Sequence, residues 1–323
     1  MGTDGADLGH SIRIARWSGE PSRERCCSPC HARGPGTVDR GIVHVIVDAH
    51  QHFWDLGRGD YDWLTPSAGV LYRSFLPEHL VGTLRTHEVS ATILVQAAAT
   101  EAETHFLFRL AAAHPFIAGV VGWVDFERSD VAARVAALAT AGGGKLKGLR
   151  PMIQDIADPE WITRPAVDAA FEAIAAHELV FDALAQPRHL TPLRERLLRH
   201  PTLRAVLDHA GKPDIAHGGM DAWARDIERL ARDTSICCKL SGLLTEAGAK
   251  WSNGAIAPYV AHLFSCFGPE RILWGSDWPV LTSVASYTNW LELSRHFIER
   301  FAAGRERDVL AANTSRLYGL KFQ

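Results

Sequence analysis

Val43-His-Val-Ile-Val-Asp48, running straight into Ala49-His50-Gln51-His52, is the stretch on which the fold turns. A short β-branched run that stops on titratable side chains reads as a strand of a parallel sheet with its polar end at a rim. Runs of the same kind recur at Ala91–Gln96, Ile117–Val124, Leu146–Arg150, Leu179–Leu184, Leu203–Asp208, Ser235–Leu240 and Arg271–Ser276. With the first they make eight, the number that closes a (β/α)8 TIM barrel. Helix-period segments lie between them. Thr100–His114 and Asp130–Ala141 are rich in Ala and Leu, and each follows a residue able to cap it. Arg164–His177 carries Pro165 early, where a helix tolerates it, and Asp308–Tyr318 closes the chain. The competing α/β fold, an open doubly wound sheet, asks for a Gly-rich phosphate loop after its first strand, and this sequence has none there.

The 323 residues exceed the ~250 of a typical barrel, leaving room for an extension. Residues 1–41 are rich in Gly, Ser, Arg, Pro and Cys and carry no steady apolar period. They read as a disordered extension, a mis-called start or an expression leader, with the barrel at 42–323. Within the extension, Cys27-Ser-Pro-Cys30-His31 matches the haem-attachment pattern, but no export signal or helical haem domain accompanies it. Cys237, Cys238 and Cys266 lie in apolar runs, as reduced buried thiols do. A net charge of −3 without a basic run gives nucleic acid no partner surface. No long apolar stretch and no signal pattern stand out, so the expectation is a cytoplasmic enzyme with no membrane contact.

Active sites of such barrels sit where the strands end, and these ends are polar. His50 and His52 are two apart, so on an extended chain both imidazoles point to one side, where they can share a metal ion or flank a substrate. Asp277, in Leu273-Trp-Gly-Ser-Asp277-Trp-Pro279, is a carboxylate ringed by aromatic groups and a candidate general base. His209, in Val206-Leu-Asp-His209-Ala-Gly-Lys212-Pro213, is a candidate ligand or electrophile. Arg150 offers a planar cationic fork to an oxygen. Asp182 and Lys239 either touch substrate or neutralise each other inside the barrel. Trp54, Trp123 and Trp278 are candidate walls of a sugar-sized pocket, and Gln96, Gln154 and Asp155 are candidate hydrogen-bonders.

Four motifs taken in order, Val47-Asp-Ala-His-Gln-His-Phe-Trp-Asp55, Leu207-Asp-His-Ala-Gly-Lys-Pro213, Cys238-Lys-Leu-Ser-Gly242 and Trp274-Gly-Ser-Asp-Trp-Pro279, resemble the amidohydrolase-related family. Within it they are most similar to the L-fuconolactonase-like branch of sugar lactonases. The resemblance spans roughly residues 43–320. It implies a distorted TIM barrel that hydrolyses a cyclic ester. It matches His50 and His52 to the first-strand pair, Arg150 to the fourth-strand basic residue, His209 to the sixth-strand histidine and Asp277 to the eighth-strand base. Binuclear relatives bridge two metals with a strand-four Lys or Glu and add a strand-five histidine. Here those places hold Arg150 and Asp182, and a guanidinium has no lone pair to give a metal. Two states stay open on equal terms: one divalent ion such as Zn2+ held by some of His50, His52, His209 and Asp277, or catalysis without metal. The expected reaction is hydrolysis of a small lactone, an aldonolactone in preference to an acidic one, with Asp277 taking a proton from water. The alternatives are a metal-dependent decarboxylase on the same barrel or a non-catalytic binding protein.

Overall fold

A computed structural model describes residues 45–321. The extension and its Cys27–His31 motif, together with the boundary at 41/42, lie outside the described residues. Strands β1 (Ile46–Gln51), β2 (Val89–Val95), β3 (Ile117–Gly122), β4 (Leu146–Leu149), β5 (Val180–Ala183), β6 (Ala205–Leu207), β7 (Cys237–Leu240) and β8 (Ile272–Trp274) form one eight-stranded sheet in sequential order. Every neighbouring pair is parallel. The ends meet beyond the last ladder: Asp277 N–H donates to His50 O at 2.8 Å and His52 N–H to Trp278 O at 2.7 Å. The barrel is thus sealed by the residues that carry the candidate chemistry.

The helices are α1 (Pro77–Thr86), α2 (Glu101–Ala113), α3 (Val131–Ala141), α4 (Asp168–Ala176), α5 (Leu190–Arg199), α6 (Asp221–Asp233), α7 (Leu243–Ala247), α8 (Asn253–Phe267), α9 (Tyr287–Phe301) and α10 (Asn313–Leu317). Their starts and faces follow from sequence. Thr100 caps α2 by accepting the Glu103 N–H at 3.0 Å, and Ser252 and Ser286 do the same for α8 and α9. In α6 the buried Trp223, Ile227, Leu230 and Ala231 recur at helical spacing on one face. Successive strand residues point to opposite sides. Leu94 therefore joins the main core under the helices, while Ile93 and Val95 join Val121, Val180, Val206 and Leu273 in a separate cluster inside the barrel. Among the described residues no helix is long and apolar enough to cross a membrane, and Cys237, Cys238 and Cys266 are free thiols.

Most strand boundaries shift by one or two residues from the sequence expectation, and β3 and β8 end at Gly122 and Trp274 rather than Val124 and Ser276. The first strand runs past Asp48 to Gln51, because Gln51 still pairs with Leu94. The sixth stops at Leu207, where His209 and Ala210 take left-handed backbone angles (φ 51° and 54°). The segment Arg164–His177 is a helix only from Asp168, after short 3-10 turns at Trp161–Thr163 and Pro165–Val167.

Candidate active site

His50 and His52 leave the end of β1 on the same side, as their spacing requires, and their Nε2 atoms lie 3.1 Å apart. His52 Nδ1 lies 2.8 Å from Val95 O. A carbonyl can only accept, so Nδ1 donates to it and Nε2 is the nitrogen turned to the site. Asp277 Oδ1 stands 3.4 Å from His52 Nε2, 3.8 Å from His50 Nε2 and 3.9 Å from His209 Nε2. His209 is held from behind by Ser241 Oγ, 2.9 Å from its Nδ1. Both His209 and Asp277 (φ 51° and 58°) occupy left-handed backbone, a strained setting for residues with a side chain that the surrounding fold must enforce.

Two glycines of the motifs acquire a reason. A Cβ on Gly242 would come within 2.7 Å of the His209 ring, and one on Gly275 within 2.8 Å of His50 Cβ. Only glycine lets β7 and β8 approach the imidazoles this closely.

Beneath the histidines lies a sealed charge cluster. Lys239 Nζ is 2.5 Å from Asp182 Oδ2, 2.9 Å from Asp208 Oδ1 and 3.2 Å from His50 Nδ1, and Tyr318 OH donates to Asp182 Oδ2 at 2.8 Å. Arg150 connects the two layers. Its Nη1 is 3.4 Å from Asp208 Oδ2 and 3.5 Å from His50 Nε2, and its Nη2 donates to Gln96 O. Asp48, also buried, ties β1 to β8 by accepting the N–H groups of His50 (3.1 Å) and Ser276 (2.8 Å) and the Tyr287 hydroxyl (3.1 Å).

Burial pushes the His209 imidazole down to about 4, and burial with the Lys239 charge holds His50 well below its usual range, so both are neutral near pH 7. Burial alone would raise Asp277, but His209, His52 and His50 outweigh it and hold the carboxyl below its ordinary range. Likewise, burial opposes ionisation of Asp208, yet Lys239 and His50 keep it an anion.

A cavity of about 260 Å³ opens over this floor, a volume suited to one sugar-sized molecule. His52, His209, Asp277 and Arg150 reach it, as do Trp54, Gln154 and Asp155. Five expected substrate contacts do not line it. Gln96 is buried and spends its amide on Arg150 O at 2.8 Å. Asp182 and Lys239 neutralise each other below. Trp278 packs on Phe53 and Phe75, and the Trp123 backbone is held by Thr104 on α2. The cavity walls include Trp63, Lys212, Thr245 and Glu246, none of which the strand-end reading singled out for contact with substrate. Lys212 Nζ donates to Gln154 Oε1 at 2.9 Å and pairs with Glu246 at 3.4 Å. Lys212 lies within the sixth-strand motif and Glu246 follows the seventh by a few residues, the only signal the sequence offers for them.

The donor set fits one divalent ion. His50, His209 and Asp277 bring ligand atoms within 4.8 Å of one another. Ligands about 2.0–2.1 Å from a tetrahedral Zn2+ stand roughly 3.3 Å apart, and Asp277 Oδ1 stands 3.8 Å from His50 Nε2 and 3.9 Å from His209 Nε2, a little wider than that.

A family profile described as "Amidohydrolase" matches residues 47–320. An L-fucono-1,5-lactonase of Burkholderia ambifaria is 40% identical over 276 residues, covering 84% of this chain and 94% of that protein. Another, from Burkholderia multivorans, is 38% identical over 85% of this chain and 96% of its own length. A crystal structure of a Burkholderia multivorans amidohydrolase with bound zinc superposes with a TM-score of 0.81 at 35% identity, covering 86% of this chain and all (100%) of that one. The chain belongs to the amidohydrolase family.

Proposed function

We propose that this amidohydrolase-family enzyme opens the ring of a sugar lactone, with an aldonolactone of the L-fucono-1,5-lactone type as substrate. The observation that carries the reading is Asp277. It is an ionised carboxylate, facing three imidazoles, on the floor of a sugar-sized cavity. The relatives named L-fucono-1,5-lactonase, which share 38–40% of their residues with it, support the substrate class.

The reaction needs a water deprotonated, a carbonyl oxygen steadied and a leaving alkoxide protonated. Asp277 Oδ1 takes the water proton as the hydroxide adds to the lactone carbonyl. The oxyanion that forms is steadied by the fixed positive charge of Arg150 at the cavity wall. Collapse breaks the ring C–O bond, and Asp277 returns its proton to the departing oxygen, giving the open hydroxy acid. His52, locked by Val95 O, and His209, locked by Ser241, keep the floor rigid around the reacting carbon. A divalent ion held by His50, His209 and Asp277, with His52 beside them, would supply Lewis-acid charge when bound.

The test is acid release by the purified protein from L-fucono-1,5-lactone and a panel of other aldonolactones, with and without a chelator. Turnover of aldonolactones is expected, with carboxylated lactones poor. A folded protein that opens none of them would overturn the proposal.

A further inference from the structure

We infer that Trp63, on the segment joining β1 to α1, is the stacking platform on which the sugar ring lies, and so a specificity-determining residue of this enzyme. The inference rests on the lactonase reading and adds to it a residue outside the strand-end machinery.

Two tryptophans border the cavity, and only one offers a face. Trp54 is fully buried, with its indole N–H donated to Arg73 O at 2.7 Å. It meets Trp63 edge to face at 5.3 Å between ring centroids. Trp63 is 42% exposed and lines the cavity, so part of its indole stays open to that space. Its orientation is fixed nonetheless. Trp63 Nε1 donates to Ala97 O at 2.8 Å. The turn carrying that carbonyl is pinned in its turn, because the buried Glu103 carboxyl accepts the N–H groups of Ala97 (3.0 Å) and Ala98 (2.5 Å). A second tie, Thr100 Oγ1 to Asp60 Oδ2 at 2.8 Å, holds the same segment to the same turn. An aromatic plane that is open, anchored and preorganised loses little entropy when a ligand lands on it.

Other residues around the cavity supply the polar half of sugar recognition. Lys212, Gln154 and Glu246 form one hydrogen-bonded group with donors and acceptors for hydroxyls. A pyranose-sized lactone has an apolar C–H face and a rim of hydroxyls. It can lay the first on Trp63 and turn the second to Lys212 and its partners. A flat, carboxylated lactone would bring a second negative charge towards Asp155 and Glu246, which also border the space.

The experiment compares Trp63→Ala, Trp63→Leu and Trp63→Phe with the parent in two measurements. One is steady-state kinetics on the best aldonolactone. The other is calorimetric binding of an aldono-1,5-lactam, which keeps the ring and hydroxyls and is not hydrolysed. Trp63→Ala should raise KM and the lactam Kd by about tenfold with kcat within about twofold, and Trp63→Phe should recover most of the loss. Trp63→Leu, which keeps apolar bulk without a flat face, should stay weak and serves if the alanine variant does not fold. Unchanged KM and Kd in folded Trp63→Ala and Trp63→Leu would overturn the platform. So would a fall in kcat with KM unmoved, which marks a prop for the catalytic floor, or a parent protein that fails to bind the lactam. A parent that binds the lactam but opens no lactone would refute the reaction and leave the platform to be judged by Kd alone.

Discussion

Two clusters of buried titratable side chains lie one above the other in this barrel, and they differ in how tightly their members are paired. The lower one, Lys239 with Asp182, Asp208 and Tyr318, is sealed, and its charges are matched at 2.5–2.9 Å. In the upper one Asp277 stands 3.4–3.9 Å from His50, His52 and His209, and His52, His209 and Asp277 open on the cavity. Matched pairs have nothing left to give a substrate. In the upper cluster the wider spacing leaves the Asp277 carboxylate able to face a substrate, as the proposed reaction needs. Buried charge alone therefore does not mark a candidate site.

The comparison breaks most sharply at Asp277. Asp277→Asn keeps the shape and removes the base, so kcat on the best lactone should fall by about 10²–10⁴ while the melting temperature holds. Near-native turnover of folded, metal-supplemented Asp277→Asn would remove Asp277 as the base. Lys239→Met should fail in the opposite way. It strands Asp182 and Asp208 without their cation and should cost about 3–5 kcal/mol in urea unfolding. A Lys239→Met protein as stable as its parent would show that the lower cluster is not held by matched charge.

Glu103 is a buried acid with backbone N–H donors but no cation against it, and burial pushes it up to about 7. Its folded pKa lies above its unfolded one. Its contribution to stability is therefore fully present below the unfolded value of about 4.5 and is lost as pH rises through about 7. Glu103→Gln should hence gain on the parent, on the order of 1–3 kcal/mol, between pH 5 and pH 8 in denaturant titrations. An equal gap at both pH values would contradict it. Arg150→Lys, between the two clusters, should have the smallest effect. A loss of about tenfold in kcat/KM is expected with little change in melting temperature, since the charge stays and the fork goes. Unchanged kinetics would make Arg150 a structural tie to Asp208.

The eight strands were legible because β-branched runs and helical periods alternate without interruption from residue 43 onward. His50, His52 and Asp277 were legible because strand ends are fixed points of a barrel. Trp63, Lys212 and Glu246 were not singled out as contacts, since loop residues are brought to a cavity by turns such as the left-handed Lys212 (φ 52°), which leave no period in the sequence. The fates of Asp182 and Lys239 were undecidable for another reason. Whether a strand-borne charge faces substrate or a partner depends on which layer of the barrel it occupies, and a shift of one residue reverses it. Trp123 and Trp278 show the same limit, because an aromatic near a strand end has two sides to choose from.

The seam between β8 and β1 has a consequence for how the molecule comes into being. The hydrogen bonds that close it join groups as far apart along the chain as Asp48 and Ser276, which are separated by 228 positions. They are also the bonds that set Asp277 beside His50 and His52. During synthesis the first strand leaves the ribosome long before its partner exists, and it must wait with its edge unpaired. With Asp277 as the proposed base, ring opening would have to wait until the ring of strands shuts.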